Sequence, residues 1–179
     1  MKPKYILGFG VLFITLLCSN FSVAKAQKRS SAELVKAIKN ATGDFSQDIL
    51  KQIRYYTAYV DLNNDKSQEV IVYSTGPHCG AWECPVYIFR KSGKTYRLIG
   101  KSGAASNGGQ VAVLSSKSKG WLDIATLVYD SQQRKVNWKL HKYNGSTYQN
   151  TYNNLNSKPS RIILRPSGSG FTLAQITGR

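Results

Sequence analysis

From Arg54 onward the apolar and aromatic residues abandon helical spacing and fall into short runs separated by glycine, asparagine and serine. Alternation over about four to eight residues puts one side of a run toward a core and marks a strand. Tyr55–Val60 is the first such run. Residues 69–73, 86–89, 96–99, 111–114, 121–128 and 136–143 follow, and Tyr148 sits on a further return strand. Ser92-Gly93-Lys94 and Asn144-Gly145 supply hairpin turns, because glycine and asparagine tolerate positive φ. Tight turns join antiparallel neighbours, so the chain is constrained to a mostly antiparallel sheet. Gly100 to Gly109 reads as a flexible connection, and Ile162–Leu164 and Phe171–Leu173 as an edge strand or hairpin.

Upstream of Arg54 the spacing is helical. Ser30-Ser31-Ala32-Glu33 carries a capping-box pattern, and Leu34, Val35, Ile38 and Ala41 recur on one face until Gly43. Asp44 or Ser46 caps a second short helix bearing Ile49, Leu50 and Ile53. Two narrow amphipathic helices of this kind pack their apolar stripes on a sheet. The expected fold class is therefore α+β, with two short N-terminal helices on a mostly antiparallel β-sheet.

The sheet contains an internal echo. Glu69-Val70-Ile71-Val72-Tyr73 is matched 54 positions later by Asp123-Ile124-Ala125-Thr126-Leu127, and Ser92-Gly93-Lys94-Thr95-Tyr96 is matched 52 positions later by Asn144-Gly145-Ser146-Thr147-Tyr148. Two related meanders are too few for a propeller. They form one curled sheet or a small sandwich.

The first 26 residues read as a cleaved signal peptide. Lys2 and Lys4 form the basic start, Ile6 to Leu17 is an apolar run too short to span a bilayer, and Ala24-Lys25-Ala26 is a small-x-small cleavage site. Leu17 is too large to precede a lipidated Cys18. Residues 27–179 then form one exported domain, periplasmic or, alternatively, secreted, with no transmembrane segment and a basic, partly flexible end from about residue 150. Cleavage takes three of the 25 basic residues and none of the nine acidic ones, which lowers the charge from +16 to +13.

Export also leaves Cys79 and Cys84 as an even pair, which in an oxidising compartment favours a disulfide around Trp82 and Glu83. A zinc site is the alternative, and the chain has only His78 and His141 to complete one.

Asp61-Leu62-Asn63-Asn64-Asp65-Lys66-Ser67-Gln68-Glu69 places side-chain oxygens at its first, third, fifth and ninth positions, directly before a strand. Hard cations such as calcium are held by such oxygens. The stretch resembles the calcium loops of FG-GAP (integrin-type) repeats and of small exported bacterial proteins with one aspartate-rich loop. That resemblance implies side-chain ligands at Asp61, Asn63, Asp65 and Glu69 and a backbone carbonyl at Ser67. It departs from the pattern at Asn64 and Lys66, where the family has glycine. The alternative is a turn closed by its own side chains without an ion.

No phosphate-cradling glycine loop and no nucleophile in a recognisable context is present, so the chain reads as a non-enzyme with no catalytic residues. Its positive field attracts anionic partners. The expected function is an envelope binding protein, an inhibitor or immunity protein, that meets an acidic protein through Trp82, Glu83, Lys139 and Lys142. A module for an anionic envelope polymer or DNA is the alternative, and an unrecognised hydrolase the third reading.

Overall fold

A computed structural model describes residues 32–176; the signal-peptide reading and Ser30-Ser31 lie outside them. The order is α1 (Ala32–Thr42), α2 (Gln47–Gln52), β1 (Arg54–Val60), β2 (Glu69–Thr75), β3 (Glu83–Ser92), β4 (Thr95–Ala105), β5 (Val111–Ser118), β6 (Trp121–Asp130), β7 (Lys135–Tyr143), β8 (Tyr148–Asn154), β9 (Ile162–Leu164) and α3 (Leu173–Ile176). Among the described residues no helix is long and apolar enough to cross a membrane.

The helices form where their apolar stripes fall. Leu34, Val35 and Ile38 of α1 are buried. Gly43 ends the helix in the left-handed region, at φ 92°, and its amide still reaches the Lys39 carbonyl at 3.1 Å. Ser46 caps α2, its hydroxyl accepting from the Ile49 amide at 3.4 Å.

All nine strands belong to one sheet, in the order β1-β2-β3-β4-β8-β7-β6-β5-β9. The runs β1–β4 and β5–β8 are two antiparallel meanders laid side by side. They join where β4 and β8 run parallel, at the single pair Gly100 and Tyr148. The fold is thus mostly β, with the helices a minor layer.

The curl of the sheet is visible in its core. One apolar cluster takes residues from every strand, including Val60, Ile71, Val86, Ile99, Val111, Trp121, Tyr143, Tyr148 and Leu164. A flat sheet of nine strands cannot bring its two edges to one core, so the sheet is nearly a barrel. Across the outer face of β1–β3, α1, α2 and α3 cover Tyr55, Val70, Val72, Tyr87 and Phe89. Strand β2 is therefore buried on both faces, which is why Val70-Ile71-Val72-Tyr73 is apolar without a break.

Two expectations change here. Gly100 to Ala105 is not a loose connection but the second half of β4, paired with β3 from Glu83 to Ile88. Its glycines answer to close approach rather than mobility. A Cβ on Gly100 would stand 2.8 Å from Ile88 Cδ1, and one on Gly103 would meet the Glu83 carboxylate. In the tail, β9 pairs with β5, but Phe171 makes only a bridge to Tyr55 and the chain then turns into α3.

Candidate functional site: a pinned aromatic loop and an aspartate turn

The loop between β2 and β3 is held at several points. Cys79 and Cys84 are disulfide-bonded, with Cα atoms 4.4 Å apart, and that bond removes the zinc alternative. The Gly80 amide donates to the Glu83 carbonyl at 2.9 Å, and the Ser106 amide donates to the Trp82 carbonyl at 2.9 Å. The loop therefore cannot fold back, and Trp82 is left 54% exposed. Its ring lies against Tyr129 of β6, with centroids 5.0 Å apart.

Glu83 begins β3 beside this indole. Its carboxylate is 3.9 Å from Lys139 Nζ of β7, both side chains more than a third exposed. The fold thus gathers Trp82, Glu83 and Lys139, from opposite meanders, and adds Tyr129. It does not gather Lys142. Side chains alternate across a strand, so Lys142 points from the face opposite Lys139 and stands exposed there.

Two residues along β7, a polar knot joins three strands. His141 Nε2 lies 2.8 Å from the Thr126 hydroxyl of β6 and 3.2 Å from the Ser102 hydroxyl of β4. Burial, and then the charge of Lys139, lowers the imidazole pKa to about 4, so His141 is neutral at pH 7. Sequence reasoning missed this knot. The one available signal was alternation, which sets His141 on the same face of β7 as Tyr143. A second histidine packs near the disulfide. His78 Nε2 is 2.9 Å from the Ser74 hydroxyl, its ring faces Phe45 at 5.9 Å, and burial lowers its pKa.

The aspartate turn lies between β1 and β2. Asp61 Oδ1 accepts from the amides of Asn63 and Asp65 at 3.3 and 3.2 Å, and Oδ2 from that of Lys66 at 2.9 Å. Asp65 Oδ1 accepts from the Ser67 amide at 2.8 Å, and Oδ2 from the Asn63 side chain at 2.8 Å and the Arg90 guanidinium at 3.2 Å. The Asn63 side chain, then the Ser67 amide, and less strongly Arg90, hold the Asp65 carboxyl below its ordinary pKa.

Asn64 and Lys66 take φ of 63° and 69°, in the left-handed region that favours glycine. Lysine there is strained, and the amide bonds to Asp61 and Asp65 hold the turn against that strain. The turn thus brings Asp61, Asn63, Asp65 and Ser67 together.

Glu69 closes the turn from inside the protein. It is fully buried, and Oε2 accepts from the Leu62 amide at 2.8 Å. Among the described residues its other oxygen has no hydrogen-bond partner. Burial raises its pKa, and nearby Asp65 and Asp61 raise it further. Among the described residues no group of three or more His, Cys, Asp or Glu side chains stands ready to hold a metal ion. No protein-family model matches this chain, and neither does any curated protein or solved structure.

Proposed function

We propose that this protein is an exported, non-enzymatic binding protein that recognises an acidic protein through Trp82 and its surroundings. The observation that carries the reading is the half-exposed Trp82, its ring against Tyr129, in a loop pinned by the Cys79–Cys84 disulfide. An exposed tryptophan held in place loses little entropy on binding and makes an interface anchor. Charge supports the choice of partner. Two of the nine acidic residues, Glu69 and Asp123, are buried, so the surface is more positive than the composition alone implies. Such a field speeds encounter with an acidic partner.

The test is capture from envelope extract on immobilised protein, washed over a salt series, beside a W82A column. A single stoichiometric protein held at moderate salt by the unmutated protein and lost from the W82A column supports the reading. Retention of DNA or lipopolysaccharide that falls linearly in log terms with log salt would replace it with polyanion binding.

A second reading concerns the aspartate turn as a calcium site. The orphaned, buried Glu69 oxygen favours it, because a cation would satisfy that oxygen. The left-handed Asn64 and Lys66 also suit a loop wrapped around an ion. Asp61, Asn63, Asp65 and Glu69, which are not gathered into a ready metal group among the described residues, would have to close in to supply side-chain oxygens, and Ser67 its carbonyl. Calcium would act there as a cross-link between the turn and the core.

A further inference from the structure

Outside both sites, α1, α2 and the start of α3 leave a groove of about 480 Å³. That volume lies in the range of small-molecule sites. Its apolar lining is Val35, Leu50 and Leu173, and its polar lining is Lys39, Lys51, Gln47 and Thr172. Among the described residues no carboxylate belongs to the lining. Lys51 lies 3.1 Å from Asp48, but that pair is almost fully in water and holds loosely. The groove therefore offers an apolar floor edged by two ammonium groups. A neutral hydrocarbon would leave those charges unused, and a soluble anion would leave the floor unused.

The geometry points to a binding site for a single-chain anionic amphiphile, its hydrocarbon chain on Val35, Leu50 and Leu173 and its head group at Lys39 and Lys51. The head is an oxyanion, either a fatty-acid carboxylate or a monoester phosphate. Lysine ammonium groups meet either as point charges. The chain contributes through burial of apolar surface and the head through charge complementarity.

The experiment is a fluorescence titration of the protein with 11-(dansylamino)undecanoic acid, below its aggregation concentration. Saturable enhancement of dansyl emission is expected. Dodecyl phosphate and laurate should displace the probe, and their relative strengths distinguish the phosphate from the carboxylate source. Dodecanol, with the same chain and no charge, should displace it about tenfold more weakly. The K39E/K51E double variant should weaken probe binding by about tenfold or more while leaving the dodecanol affinity unchanged. Both lysines are exposed, so the variant folds, and an unchanged thermal melt checks this. The L50D variant should abolish binding of all three competitors. Absence of saturable binding, equal displacement by dodecanol and laurate, or unchanged probe affinity in K39E/K51E would each overturn the proposal.

Discussion

The Glu69 carboxylate reaches back seven residues to accept the Leu62 amide at 2.8 Å, and so ties the aspartate turn to the interior of the sheet. Its second oxygen is buried, with no hydrogen-bond partner among the described residues. Burial raises the Glu69 pKa above its ordinary 4.5, so the folded state holds this proton more tightly than the unfolded chain. The stabilising contribution is then fully present below about pH 4.5 and is lost as pH rises through the folded value. Without calcium, E69Q should raise the melting temperature relative to the unmutated protein more at pH 7 than at pH 4. A difference independent of pH would show that Glu69 is not buried as a carboxylate.

His141 has the opposite sign. Its folded pKa of about 4 lies below the ordinary 6.5, so the stability it carries is present above about pH 6.5 and is lost as pH falls toward 4. A shift of this size corresponds to roughly 3 kcal/mol between the limits. Thermal melts from pH 7 to pH 4 should show H141Q less stable than the parent at pH 7, with the gap closing as acid is added. A constant gap would mean that burial does not hold the imidazole neutral.

Calcium, if it fills the aspartate turn, should act as a folding ligand. At a concentration about a hundred times Kd it would add about 2.7 kcal/mol, or about 5–10 °C in Tm. Chelation should remove that increment, and D61A should melt at one temperature with and without calcium. A parent protein whose melting temperature ignores chelator supports a turn that stands on its own hydrogen bonds.

Cys79 and Cys84 are five residues apart, and closing so small a loop stabilises a fold by only about 2 kcal/mol. The C79S/C84S variant should therefore fold, while Trp82 loses its fixed presentation. The expected result is faster dissociation of a captured protein partner, measured by surface plasmon resonance, with association changed little. Unchanged dissociation would remove the disulfide from the recognition argument.

Trp82 and Lys139 should differ in weight. W82A should cost about 2 kcal/mol or more in partner binding, as anchors do. K139A should cost less than about 1 kcal/mol, because its pairing with Glu83 is partly in water and long at 3.9 Å. Equal losses in titration calorimetry would move the interface away from the indole.

The legible part of the protein is the part that local chemistry controls. The stripe Leu34, Val35 and Ile38, the Gly43 stop, the Ser46 cap and the run Val70 to Tyr73 each depend on residues a few positions apart. So do the disulfide and the aspartate turn, whose bonds span at most a few residues apart from Arg90 and Glu69. Periodicity and turn chemistry report such interactions because their geometry is set by residues close in sequence.

What only the tertiary structure decided is everything that requires two strands to find each other over a distance. Nothing around Gly100 announces that it will lie parallel to Tyr148, or that Ser102 will meet His141 39 residues later. The glycines of β4 read as flexibility, and become close packing only once Ile88 and Glu83 stand opposite them. Tyr129 lies under Trp82, and Lys139 beside Glu83, because the curled sheet brings the second meander against the first. Registry between strands is set by the whole core, where each side chain must fill space left by others, and that condition has no local signature.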